Sequence, residues 1–262
     1  MNVPKDLSEL LQAIASEFPA ILGANLVGIY LWGSLTYDAF DETCSDVDSV
    51  VVTQRDLDDH EFSRLDEWFK RKAPANRWVA RLDMRFVIDH ELLDKSSRCC
   101  GFYPYTGKLV RQGSDGNPLI WINVAHSGLT LWGPDAKLIA PPVSDQCLNE
   151  ALLLELDYLK RDLSSNAGDR SNRAFLHNAY AVLTACRILY SAHHRALVSK
   201  NRAYKWAIEV APPVWRPIIR AARTNRIKNA GSTTPQMEED AAQFVGFVTG
   251  EVLRTLGRAN QT

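Results

Sequence analysis

Apolar residues recur along this chain in two rhythms. Near the start, Leu7, Leu10, Leu11, Ile14 and Ala15 fall three and four positions apart, which predicts a helix over Pro4–Phe18 with Asp6 as its cap. The rhythm then changes. Val27–Trp32 is a short aromatic and β-branched run that reads as a strand. Gly33-Ser34 marks its end, and a helix is expected from about Thr36. Ser45–Val52 reads as a second strand, anchored in the core by Val47 and Val50–Val52. Helical spacing returns over Asp56–Lys72, at Leu57, Phe62, Leu65, Trp68 and Phe69, and Arg81–Ile88 again has strand character. Strand, helix, strand, helix and strand together predict an α/β domain with a small mixed sheet.

The next stretch is less regular. Cys99, Cys100 and the run Gly101–Tyr105 suggest an irregular segment, while Leu119–Val124 reads either as a strand or as a short apolar helix. His126 is read as a cap of that element, structural rather than catalytic. Trp132–Asp135 is turn chemistry, and Pro141-Pro142 can continue neither a helix nor a central strand. The domain boundary is therefore expected there, giving domains 1–142 and 143–262. Beyond it, helical spacing predicts Leu148–Leu163, Arg173–His193, Lys200–Val210, Pro213–Thr224 and Gln236–Leu256, with polar connections at Gly168–Ser171 and Ala230–Pro235. These make an all-α bundle of four or five helices.

Composition narrows the partners. The 262 residues carry a formal net charge of −1, which exerts no pull toward nucleic acid or an anionic membrane, so a small substrate is favoured over a polynucleotide. Five cysteines, odd in number and without paired CxxC spacing, indicate neither a disulfide framework nor a zinc knuckle. Reduced thiols and a cytoplasmic location are expected. Lys5, Asp6 and Glu9 interrupt the first apolar residues, so no signal peptide or membrane span is expected.

The candidate chemistry lies in the first two strands. Asp46 and Asp48 are two positions apart, so on a strand both carboxylates project from one face. Mg²⁺ takes a few carboxylate oxygens and leaves its other positions to water and substrate phosphate. Gly33 lets backbone N–H groups approach a phosphate, and Ser34 adds a hydroxyl donor. Asp83, in the third strand, could complete a cluster of three carboxylates.

This pattern of Gly33-Ser34, then Ser45-Asp46-Val47-Asp48, then Asp83 resembles the nucleotidyltransferase superfamily of the DNA polymerase β type. More closely, the chain resembles the bacterial aminoglycoside adenylyltransferases that modify streptomycin and spectinomycin. Trp132–Asp135 with Pro141-Pro142 resembles that family's interdomain link, and Val182–Tyr190 with Val198–Trp206 resembles its helical C-terminal domain. The likeness covers roughly Val27 to Arg226. It implies a nucleotidyltransferase domain followed by a helical-bundle domain, and transfer of AMP from Mg-ATP to a hydroxyl of a small, aminoglycoside-like acceptor with release of pyrophosphate. Antibiotic resistance is the implied role. By the same resemblance Asp46, Asp48 and Asp83 hold Mg²⁺, and Asp83 is also catalytic, orienting or deprotonating the acceptor. Gly33, Ser34 and Ser45 bind the nucleotide, and Lys200 reaches its phosphates. Lys200 follows Ser199 at an expected helix start, where an ammonium suits that task. Arg187, in a mostly apolar helix, must be paired or face a polar cleft, and is a second nucleotide-binding candidate.

The chain also departs from the family. Aspartate stands at position 83 where these adenylyltransferases usually have glutamate. Arg226 stands where a tyrosine covers the nucleotide. His177, Asn178 and Tyr180 lie near the residues expected to hold streptomycin, while Glu155, Asp157 and Asp169 could supply a negative wall or be solvated acids. Two rival readings follow: a nucleotidyltransferase acting on a protein or another acceptor, and a catalytically silent, antitoxin-like nucleotide-binding protein.

Overall fold

The computed structural model describes residues 3–37, 39–94, 98–104, 106–113, 117–228 and 230–259. The chain divides into two compact units, Met1–Val143 and Ser144–Thr262.

The first unit is built on a mixed six-stranded sheet of order β5-β4-β3-β2-β1-β6. Its strands are β1 (Leu26–Leu31), β2 (Val47–Thr53), β3 (Leu82–Ile88), β4 (Arg98–Tyr103), β5 (Lys108–Gly113) and β6 (Leu129–Trp132). The β2–β3 pair is parallel and the other neighbours are antiparallel. Side chains alternate between two cores. On one face Ile29, Leu31, Val47, Val51, Met84 and Phe86 pack with Leu7 and Phe18 of α1 (Lys5–Leu22) and with Trp68 and Phe69 of α2 (Asp59–Lys72). On the other, Tyr30, Val50, Val52 and Val87 pack with Ile120, Trp121 and Val124 of α3 (Pro118–Ser127) and Ala136 of α4 (Ala136–Ile139). A sheet buried on both sides explains why Val50–Val52 is continuously apolar rather than alternating.

Helix α2 makes the crossover between the parallel strands. It starts at a capping box in which the Asp58 side chain accepts from Glu61 N, while the Glu61 side chain accepts from Asp58 N. Several expectations are corrected here. Helix α1 runs on through Pro19 to Leu22, and Asp6 is not its cap: Pro4 holds that position, and the Asp6 carboxylate accepts from Leu7 N and from Arg77 Nε. No α-helix begins at Thr36; Gly33–Thr36 forms a single 3₁₀ turn. Of the segment expected to be irregular, Cys99–Tyr103 lies in β4 of a β4–β5 hairpin, because pairing to β3 supplies an order that local propensity does not encode, while Tyr105 lies outside the described residues. The open reading of Leu119–Val124 resolves as helix, with the Asn117 side chain accepting from Leu119 N and Pro118 at the first helical position. His126 does not cap it; it is exposed in the last turn, and Gly128 ends the helix. Strand β6 precedes the Trp132–Asp135 turn, where sequence indicated only the turn.

The second unit holds α5 (Asp145–Ser165), α6 (Asn172–His194), α7 (Lys200–Val210), α8 (Arg216–Lys228) and α9 (Pro235–Ala259). Serine hydroxyls cap three of these, Ser144 accepting from Cys147 N, Ser171 from Ala174 N and Ser199 from Arg202 N. Helix α6 is central and buried along most of its length, and Arg195 ends it in the left-handed conformation, with φ 52°. Pro213–Trp215 is a separate 3₁₀ turn ahead of α8. Among the described residues no helix is long and apolar enough to cross a membrane.

Candidate active site

The alternation of the sheet decides where the acids go. Val50, Val52 and Val87 face the α3 side, so by period two Asp48 and Asp83 lie on that same face. The β2–β3 register pairs them directly, Asp48 opposite Asp83, at a strand spacing of about 4.8 Å. Asp46 immediately precedes β2 and is half-buried.

The turn after β1 closes over Asp48. Trp32 N donates to Asp48 O at 3.1 Å, which brings the Gly33 backbone onto the Asp48 side chain. A Cβ at Gly33 would lie 2.0 Å from Asp48 Oδ2, and Gly33 has φ 74°, so glycine is required on both counts. The turn is fixed from below by Asn123 of α3. This buried amide accepts from Gly33 N at 3.2 Å and from Thr36 Oγ1 at 3.3 Å. The Ser34 hydroxyl in this turn is buried without a hydrogen-bond partner among the described residues. Ser45 is engaged differently. Its hydroxyl accepts from Asp41 N at 2.9 Å, and its carbonyl accepts from Arg81 Nη2. Arg81 also donates to Glu42 O at 2.6 Å and rests over the Trp78 ring. The hydroxyl of Ser45 thus closes the loop that leads into Asp46.

Arg85, two residues along β3, holds Asp83. Its Nε donates to Oδ1 at 2.8 Å and its Nη2 lies 3.4 Å from Oδ2. Among the described residues no three His, Cys, Asp or Glu side chains are grouped as a metal site. The expected ligand set of Asp46, Asp48 and Asp83 is therefore not drawn together as a trio: Asp46 lies just outside the strand, and Asp83 is committed to a guanidinium. The pair of carboxylates on neighbouring strands still suits Mg²⁺, which takes one or two carboxylates and fills its octahedron with water and phosphate oxygens.

In the second unit, Lys200 stands over an aromatic ring. Lys200 Nζ lies 4.1 Å from the centroid of the Tyr180 ring. Burial pushes the Tyr180 hydroxyl well above the usual phenol range, Glu155 adds to the shift, and Arg187 opposes it. The remaining acids divide. Asp157 is exposed. Asp169 accepts from Ser171 N and Oγ, and the first of these bonds holds its carboxyl below the usual range. Asn178 is buried and donates to Ala174 O. His177 is paired through Nδ1 to Asp162 Oδ2 at 3.0 Å. Arg226 lies in the last turn of α8.

Sequence reasoning missed Asn123 and Arg85. A lone carboxamide in the apolar run Leu119–Val124 was the available signal for the first, since buried polar groups are held by partners. Arg85 beside an acid of its own strand face was the signal for the second.

Residues 139–251 match the family of the aminoglycoside adenylyltransferase C-terminal domain. Over 133 residues the chain is 32% identical to an aminoglycoside (3'') (9) adenylyltransferase of Escherichia coli, covering 51% of this chain and 47% of that protein. Over 136 residues it is 35% identical to an enzyme of the same name from Klebsiella pneumoniae, again covering 51% and 47%. The match thus spans about half the length of these curated relatives. A spectinomycin 9-adenylyltransferase of Campylobacter jejuni is 22% identical over 97% of this chain and 100% of its own. In fold the chain is similar to a spectinomycin adenyltransferase from Enterococcus faecialis, solved with ATP and spectinomycin. That likeness has a TM-score of 0.71 at 14% identity and covers 96% of this chain and 99% of that one.

Proposed function

We propose that this chain, similar over half its length to aminoglycoside (3'') (9) adenylyltransferases and over 97% of it to a spectinomycin 9-adenylyltransferase, transfers AMP from ATP to a hydroxyl of a small aminoglycoside-like acceptor and releases pyrophosphate. The observation that carries this reading is the register pairing of Asp48 with Asp83 beneath the Gly33 turn. Two carboxylates set side by side, under a backbone able to approach a phosphate, suit a metal-bound triphosphate better than a purely structural role.

Each residue then has a task. Asp46 and Asp48 would hold Mg²⁺, which when bound neutralises phosphate charge and favours departure of pyrophosphate. Ser34, whose hydroxyl has no hydrogen-bond partner among the described residues, donates to a phosphate oxygen. Asp83 accepts the proton of the acceptor hydroxyl as its oxygen attacks the α-phosphorus in line, or serves as a metal ligand. Catalysis of this kind rests on positioning and on electrostatic stabilisation in a preorganised site.

Pyrophosphate release from Mg-ATP, measured across an aminoglycoside panel that includes streptomycin and spectinomycin, tests the reading. Turnover with one drug, lost in Asp83→Ala, is the expected result. ATP binding without turnover on any drug would overturn the acceptor class and leave the nucleotide site standing.

A further inference from the structure

Arg85 is a feature that the proposed transfer does not explain. It sits on the same sheet face as Asp48 and Asp83 by strand alternation, and it engages Asp83 side-on through Nε and Nη2. Only 20% of its side chain and 23% of that of Asp83 are exposed, so the pair is substantially withdrawn from solvent and is stronger than a surface ion pair.

The guanidinium is supported from β4. Gly101 is the register partner of Arg85. A Cβ at Gly101 would lie 2.5 Å from the Tyr103 hydroxyl and ring carbon Cζ, so Tyr103 lies folded over the place that a side chain at 101 would fill. Arg85 Cζ stands 4.5 Å from the centroid of that ring. Glycine 101 thus permits the tyrosine, the tyrosine carries the arginine, and the arginine holds the acid.

We propose that Arg85 is an internal counter-cation that competes with a divalent metal for Asp83, so that the free protein binds the metal weakly and the carboxylate is released when the metal arrives with a triphosphate. This rests on the proposed nucleotidyl transfer and names a control on its site. Asp48 and Asp83 side by side repel each other unless a cation stands with them. Arg85 fills that need before substrate binds. A divalent cation set between the two carboxylates would take over that neutralisation, and the phosphate oxygens that arrive with it offer the displaced guanidinium new acceptors.

Mn²⁺ alone, titrated into the nucleotide-free protein and followed by its electron paramagnetic resonance signal, tests this without any acceptor. Arg85→Gln is expected to bind Mn²⁺ about tenfold more tightly than the wild type, the scale of losing a competitor held by charge-assisted hydrogen bonds. Arg85→Lys, which keeps the charge, should stay close to the wild type, and Tyr103→Leu should shift the affinity in the direction of Arg85→Gln by a smaller factor. Thermal melting establishes that each variant is folded. Unchanged or weaker Mn²⁺ binding in Arg85→Gln overturns the inference. Asp48→Asn and Asp83→Asn separate the two readings: if both leave Mn²⁺ binding untouched, the metal site itself is wrong, whereas sensitivity to them with no effect of Arg85→Gln removes only the counter-cation.

Discussion

Asp48 and Asp83 are direct register partners on the parallel strands β2 and β3. Neither lies near the other in sequence. Their proximity follows from one right combination of a crossover through α2 and an alternation that sends Val50, Val52 and Val87 to the α3 face. Replacing either acid by its amide keeps the shape and removes the charge. Asp48→Asn is expected to lower AMP transfer by about a hundredfold or more, as loss of a group acting on transition-state charge does, with little change in melting temperature. Initial rates of pyrophosphate release, set against a thermal melt, check it. A folded Asp48→Asn protein with full activity would end the metal-binding role.

Gly33→Ala attacks the same site through the backbone. The added methyl would meet Asp48 Oδ2 at 2.0 Å, at a φ of 74°. Left-handed backbone at a non-glycine residue costs roughly 1–2 kcal/mol, and the carboxylate must also move aside. The expected outcome is a modest fall in stability with a disproportionate loss of transfer, read by urea denaturation alongside kcat/KM for ATP.

Ser34→Ala separates binding from folding. The Ser34 hydroxyl is buried and has no hydrogen-bond partner among the described residues, so removing it should leave stability unchanged or slightly raised. If the hydroxyl meets a phosphate, KM for ATP should rise about tenfold, the worth of one hydrogen bond to a charged group. A large stability loss with unchanged ATP kinetics would make this serine structural.

Asn123→Ala should behave in the opposite way. The buried amide accepts from Gly33 N and Thr36 Oγ1, and its loss strands a buried N–H at about 1–3 kcal/mol. Stability and ATP affinity should fall together, measured by denaturant titration and by equilibrium binding of ATP.

The α/β-then-α architecture was legible because its signals are local. The β-branched run of β2, the helical spacing of α1, α2 and the bundle, and the Ser199-led helix start each report on a few neighbouring residues. The β4–β5 hairpin was not legible, because Cys99–Tyr103 gains its order from pairing with β3. At the site, Gly33, Asp48 and Asp83 stood out by residue type and spacing. Arg85 and Asn123 did not, since their importance lies in which distant backbone or side chain they touch. The 3₁₀ turn in place of a helix at Thr36 has the same origin: Asn123, ninety positions away, takes the Gly33 N–H.

The packing of α1 on α2 carries a pH-dependent contribution centred on Glu17. Its carboxylate accepts from Lys72 Nζ at 2.5 Å, from Trp68 Nε1 at 2.9 Å and from Arg71 Nη2 at 2.9 Å. The Lys72 bond, above all, holds the carboxyl below the usual glutamate range, against the opposing effect of burial. A carboxyl whose folded pKa lies below its unfolded one stabilises the fold above the unfolded value, about 4.3. That stability is lost as pH falls through the folded value. Glu17→Gln should therefore unfold more easily than the wild type at pH 7, by about 1 kcal/mol for a partly exposed pair. The gap should narrow below about pH 4 as the wild-type carboxylate is protonated. Urea denaturation of both proteins at pH 7, 5 and 3 checks this: a gap that persists undiminished at pH 3 would assign the loss to the Trp68 contact rather than to charge.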